Sequence, residues 1–186
     1  YLPARFLAFL ERLSTPAAGD NYYGERAKNY ETVRLSQDWW HVEQREFEKI
    51  FRKLKGARRV LDVPVGTGRF FEFYASGNQS VTGLDVSRDM LLEANAAAKR
   101  AGLDCELVAG DARVLPFADK SFDLVVSFRF LQSIITLRDA RLVIAEISRV
   151  TRRYAMLELD FRKDSSLRRF QPSENGTMRN RLSESE

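Results

Sequence analysis

The sequence predicts an α/β fold: a mostly parallel sheet with helices on both faces. Three observations carry that reading. Short apolar runs alternate with longer stretches of helical periodicity between residues 57 and 160. Glycines and capping residues mark the changeovers, and a glycine-rich turn follows the first apolar run directly. Strands and helices alternating at this rhythm are joined by right-handed crossovers, which makes neighbouring strands parallel.

Residues 3–13 form an amphipathic helix in this reading, with Phe6, Leu7, Leu10 and Leu13 on one stripe. A loop containing Pro16 and Gly19 follows, and then a polar, aromatic helical stretch from Tyr22 to Leu35. Asp38 is expected to cap a firmer helix reaching about Lys55, with Phe47, Ile50, Phe51 and Leu54 inward and Gly56 as its stop. Val60–Val63 is the first strand, and Arg69–Ser76 is helical. Val81–Leu84 is the second strand; Ser87 caps the helix after it, which runs to Arg100 and closes at Gly102. Cys105–Ala109 and Phe122–Ser127 are the third and fourth strands. Thr136 and Asp139 form a capping box for a helix that turns Val143, Ile144, Ile147 and Val150 inward. Tyr154–Leu159 is the fifth strand, and the polar stretch 161–186 shows none. The expected organisation is a helical N-terminal cap or lid (1–56), a core (57–160) and a polar C-terminal segment (161–186).

Bulk properties narrow the classes. Hydrophobic residues make up 44% and charged residues 30%, a globular balance without an apolar run of ~20 residues, the length a membrane span requires. The lone Cys105 rules out an internal disulfide and suits the reducing cytoplasm. With His41 the single histidine, no Cys/His zinc site is expected, and no metal. Lys and Arg total 30 against 26 Asp and Glu, so the net charge of +4 reads as a mixed surface and nucleic acid is not expected as a partner. Basic residues do gather between Arg149 and Arg169.

Asp62-Val63-Pro64-Val65-Gly66-Thr67-Gly68 lies between a predicted strand and a predicted helix. A turn there brings backbone N–H groups towards a ligand at the carboxyl edge of the sheet, where a Cβ would obstruct the approach. Roughly twenty residues on, Asp85 ends the second strand, where a carboxylate accepts hydrogen bonds from both ribose hydroxyls. This is a nucleoside-binding constellation. Dinucleotide sites want a third glycine to seat a pyrophosphate, and here that position is Phe71. Adenosylmethionine carries no phosphate, so its loop need not approach as closely.

These segments resemble the class I adenosylmethionine-dependent methyltransferases, whose core is Rossmann-like. Val60–Phe70 resembles their first motif and Val81–Leu91 their second. Gly110-Asp111-Ala112 with Leu115–Asp123 is similar to the branch containing the ubiquinone and menaquinone biosynthesis methyltransferases, and Ala145–Val150 matches the helix before their fifth strand. The resemblance implies S-adenosylmethionine as cofactor. The backbone of Val63, Pro64, Gly66 and Gly68 would cradle its methionine and ribose, and Asp62 would orient that loop and meet the amino group. Asp85 would hold the ribose, Val86 and Met90 would flank the adenine, Asp111 and Ala112 would read its edge, and Phe128 would lie near the methyl group. Tyr22, Tyr23 and Tyr30 would fall on a helix over the cofactor.

Pro64 stands where a glycine is usual, and Thr151-Arg152-Arg153 replaces a Pro-Gly-Gly turn. The family's last two strands have no counterpart, and Arg181–Glu186 resembles the helix that precedes them, so the natural chain is expected to continue. No residue stands out as the catalytic base. His41 is better read as a helix residue and Cys105 as core. Ser127-Phe128-Arg129-Phe130 lacks the Asn/Asp-Pro-Pro-Tyr pattern of nucleobase N-methylation, which leaves a small-molecule, lipid or glycan acceptor at oxygen or carbon. The N-terminal aromatics (Phe6, Phe9, Tyr22, Tyr23, Trp39, Trp40) read equally as a lid over an apolar substrate or as packing. A dehydrogenase and a non-catalytic interaction module are the alternatives.

Overall fold

The computed structural model describes residues 22–77, 79–134, 136–158, 170–172 and 178–180. The expected helix at 3–13, with Phe6 and Phe9, lies outside them. Helices α1 (Glu25–Lys28), α2 (Tyr30–Leu35) and α3 (Asp38–Phe51) lead into β1 (Arg59–Asp62). Then come α4 (Phe71–Ala75), β2 (Ser80–Asp85), α5 (Arg88–Ala101), β3 (Cys105–Ala109) and β4 (Phe122–Ser127). A 3₁₀ turn (Leu131–Ser133), α6 (Leu137–Val150) and β5 (Thr151–Leu157) complete the core. The five strands pair in parallel in the order β3-β2-β1-β4-β5, so the predicted α/β, Rossmann-like class holds.

Alternation along the strands sorts the core into two layers. Val60, Val81, Leu124 and Val126 pack beneath α3, α4 and α5 with Phe47, Phe51, Phe71, Tyr74, Ala94 and Ala98. Leu61, Leu84 and Val125 face α6, where Ala140, Val143, Ile147 and Val150 are buried. β4 is buried along its whole length, as a central parallel strand must be.

Local capping follows the sequence closely. The Ser87 hydroxyl accepts the N–H of Met90 at 3.3 Å, and Gly102 closes α5 at φ +64°. The Thr136 hydroxyl accepts the N–H of Asp139 at 3.0 Å and donates to its carboxylate at 2.9 Å. Several expectations need correction. Asp38 is the first residue of α3 rather than its cap, and the helix ends at Phe51, before Lys55. The 22–35 stretch breaks at Asn29 into α1 and α2. Ile50 and Ile144 are exposed, because the buried stripe on each helix is narrower than its apolar periodicity suggests. β5 starts at Thr151 directly after α6, and its solvent-facing Arg152 pairs with Asp123 at 2.5 Å. Within the polar tail, Phe170–Pro172 and Met178–Asn180 pair as an antiparallel ribbon (β6, β7) separate from the five-stranded sheet.

The centre of the α3 layer is Phe47, fully buried, with Phe70 stacked on it at 3.9 Å and Phe128 edge-on at 5.6 Å. Phe47→Ala is expected to cost about 3–5 kcal/mol. Urea denaturation checks it as a lowered midpoint with an unchanged slope.

Candidate functional site

In the order β3-β2-β1-β4-β5 the chain reverses its direction of growth beside β1, and ligands of open α/β sheets bind at the carboxyl ends of the strands there. The turn after β1 is pinned on both sides. Val63 N–H donates to the carbonyl of Val126 at 2.9 Å, and Val65 N–H to that of Leu84 at 2.8 Å. The Val63–Pro64 peptide is cis. Gly66 and Gly68 sit at φ +55° and +80°, left-handed values that glycine adopts without strain. A Cβ on Gly68 would lie 2.5 Å from the Phe71 ring, whereas one on Gly66 would meet no protein atom within 4 Å. Phe71 therefore fills the space beside the loop that a third glycine would leave open.

Acids end the first two strands. Asp85 is buried, and its two carboxylate oxygens accept Gly66 N–H and Ser87 N–H, each at 2.9 Å. Burial raises its pKa, against the pull of those two hydrogen bonds. Asp62 is buried more completely and accepts the Tyr74 hydroxyl at 3.0 Å. Burial pushes its carboxyl up to about 8, with the Tyr74 hydrogen bond opposing and the Asp85 charge adding. Asp111 behaves differently. Its oxygens take Arg113 Nε at 3.1 and 3.0 Å and Nη2 at 2.7 Å, and Arg113 also reaches Asp139 at 3.2 Å.

These elements enclose a cleft of about 840 Å3 including its open mouth, a size typical of small-molecule sites. Of the sequence-derived residues, Asp62, Pro64, Gly66, Asp85, Val86, Met90, Ala112 and Phe128 line it. Val63 and Gly68 are buried behind the turn, and Asp111 is turned onto Arg113, so these three are not in the wall. Tyr22 and Tyr30 do line the cleft, while Tyr23 is exposed elsewhere.

Sequence reasoning missed Arg69, Phe70 and Arg129, which also line it. Glu43 on α3 joins the two arginines, at 2.7 Å to Arg69 and 3.3 Å to Arg129. Arg69 lies 3.5 Å over the buried Trp40 ring and donates to its carbonyl, yet its buried Nε has no hydrogen-bond partner among the described residues. Arg129 sits at φ +56°, a strained value for a residue with a Cβ, with its N–H on Glu158 at 2.7 Å. No local signal announces these partners, since Glu43 is 26 and 86 residues from the arginines it holds.

The other candidates stand apart. His41 is exposed and its Nε2 bonds the Leu35 carbonyl at 2.7 Å, away from the cleft wall. Cys105 is half-buried on edge strand β3, where burial pushes its thiol up to about 12 and disfavours the nucleophilic thiolate. In the basic segment, Arg149 is tied to Glu146 and Asp119, each at 2.8 Å, Arg152 pairs with Asp123, and Arg153 donates to the Gly56 carbonyl; its basic residues after Glu158 lie outside those described.

Residues 60–154 match the family model of a methyltransferase domain. A demethylmenaquinone methyltransferase of Renibacterium salmoninarum is 42% identical over 95 residues, 51% of this chain and 37% of that protein. A ubiquinone/menaquinone biosynthesis C-methyltransferase of Bdellovibrio bacteriovorus is 35% identical over 136 residues, 71% of this chain and 56% of its own. The chain thus spans about half the length of such relatives, or less. In fold it is similar to the crystal structure of a SAM-dependent methyltransferase from Methanosarcina mazei, with a TM-score of 0.62 over 73% of this chain and 78% of that one, at 24% identity.

The Asp62 carboxyl sets a pH dependence. Between its ordinary value of 3.8 and about 8, the folded chain keeps a proton that the unfolded chain releases. Its contribution to stability is therefore present at low pH and is lost as pH rises through that window. Asp62→Asn, which still accepts from Tyr74, is expected to remove this slope. Urea midpoints of the two proteins should diverge from pH 4 to 8, with the variant gaining on the wild type.

Proposed function

Because the chain belongs to the methyltransferase-domain family, we propose that it is part of an enzyme that binds S-adenosylmethionine in the cleft above β1 and β4 and transfers its methyl group. The observation that carries this reading is the buried Asp85 carboxylate, clamped by Gly66 and Ser87 N–H groups at the cleft wall. Each oxygen retains acceptor capacity for a vicinal diol.

The residues present fit the cofactor. Gly66 lines the cleft where a Cβ would enter space free of protein atoms. Arg69 at the cleft wall supplies a positive charge for the carboxylate of the methionine moiety. Val63, Pro64, Gly66 and Gly68 shape the loop, Val86 and Met90 supply apolar contact for adenine, and Ala112 with the backbone around Asp111 reads its edge. Asp62, neutral in the free protein, would ionise beside the amino group. Phe70 and Phe128 keep water from the reacting end.

Adenosylmethionine, when bound, supplies a methyl group already activated on a sulfonium. The chain's residues then have chiefly to align an acceptor and exclude water. The acceptor class is a small molecule, lipid or glycan methylated at oxygen or carbon; the Asn/Asp-Pro-Pro-Tyr pattern is absent after β4. The free thiol of Cys105 agrees with a cytoplasmic setting. Residues 22–56 act as the cap, since Tyr22 and Tyr30 reach the cleft while Trp40 packs below it.

Calorimetric titration tests the reading. Adenosylmethionine and adenosylhomocysteine are expected to bind and NAD to fail, whereas NAD binding alone would indicate a dehydrogenase. Asp85→Ala should weaken binding at least ~100-fold, the value of two hydrogen bonds to a charged group. Gly66→Ala and Gly68→Ala separate cleft from scaffold. The first should lose binding for a stability cost of about 1–2 kcal/mol, and the second should lose more stability because its Cβ meets Phe71. Urea denaturation of each variant supplies the comparison.

A further inference from the structure

A second cavity of about 1450 Å3, including open space, lies beside the cleft, walled by α1, α2 and the start of α3. Tyr22, Tyr30 and Arg129 line both spaces, so the two adjoin at that point. We propose that this second cavity takes the methyl acceptor, and that the acceptor carries a carboxylate or phosphate met by Arg34. The proposal rests on the reading that the first cleft holds adenosylmethionine.

The charge distribution argues for an anion. The cavity wall carries Arg26, Arg34 and Arg129 against one acid, Glu25. Glu25 is taken up by Lys28 at 2.9 Å, and Arg129 by Glu43 and Glu158. Arg34 differs. Its hydrogen bond goes to the Tyr30 carbonyl at 3.0 Å, and among the described residues no carboxylate pairs with it. The guanidinium lines the second cavity and lies over the ring of Tyr30, which faces both spaces, with a fork of donors suited to a carboxylate or phosphate.

The aromatic rings argue against a cation. Tyr30 and Trp39 would be the natural faces for a quaternary or protonated amine. Arg34 lies 3.6 Å over the Tyr30 ring, and Arg129 lies 4.4 Å over Trp39. Guanidinium groups of the chain therefore occupy these faces and repel a positive acceptor. An acceptor with its anionic group on Arg34 would place its remainder towards Tyr22 and Tyr30, at the mouth of the first cleft.

Trp39 lines the cavity, so tryptophan fluorescence of the full chain reports occupancy. Benzoate, phenyl phosphate, benzyl alcohol and benzylamine serve as probes of one size and differing charge. At low ionic strength one or both anions should bind about tenfold tighter than the alcohol or the amine, the effect of one charge-assisted contact. A preference for benzoate over phenyl phosphate, or the reverse, identifies which anion the site takes. Arg34→Gln should abolish the preference, and Arg34→Lys should keep most of it. Equal binding of all four probes, tightest binding of benzylamine, or a preference that survives Arg34→Gln would overturn the proposal. Adenosylhomocysteine is titrated separately: its failure to bind sinks the cofactor reading, while a missing anion preference sinks this one.

Discussion

The junction of the first two strands depends on one buried carboxylate. Asp85 ends β2, and its side chain draws in N–H groups from the turn after β1 and from the entry to α5. The same region then anchors the cap. Ser87, whose hydroxyl caps α5, also donates to the Tyr22 carbonyl at 2.5 Å, and Asp89 accepts Gly24 N–H at 2.7 Å. Glycine turn, helix start and N-terminal segment are thus held in register by a short chain of hydrogen bonds about a single acid. Burying a carboxylate is unfavourable, and the backbone donors around Asp85 offset much of that cost.

The acids of the carboxyl edge carry different burdens because their surroundings differ. Asp62 is buried with a second acid nearby, so it holds its proton against the pull of the Tyr74 hydroxyl. Asp85 faces backbone dipoles and the open cleft. Asp111 is matched by a guanidinium that also grips Asp139 on α6, which ties the loop after β3 to that helix. The three are alike in residue type and distinct in chemistry.

Much of this was legible in the sequence where the determinants are local. Ser87 and Thr136 announced their helices because a cap acts within one turn, and Gly102 closed α5 for the same reason. β3 and β4 carry the bounds their residues predict. The glycine turn and the acid ending β2 were legible through strand context and spacing, and the fold brings them together at the cleft wall. Determinants that depend on packing were hidden. The pairing of Asp111 with Arg113 is a contact that the motif's spacing does not reveal. Glu43 meets its arginines only through the tertiary fold, and Ile50 and Ile144 show that periodicity marks a face without fixing how wide the buried stripe is. β5 begins early because an edge strand admits arginines that read as turn.

The cap's helices are fastened very unequally. α3 buries Trp40, Phe47 and Phe51 and is bolted through Glu43 to the arginines that follow β1 and β4. α1 buries Ala27 alone, and α2 buries none of its residues. Free energies of local opening follow such differences, since few apolar contacts and exposed backbone hydrogen bonds belong to the segments that release first. The wall formed by α1 and α2 is therefore the weakly fastened side of the chamber and α3 its firmly fastened one. Any loosening of the chamber starts on that side, while the sheet and its acids are held by the buried core.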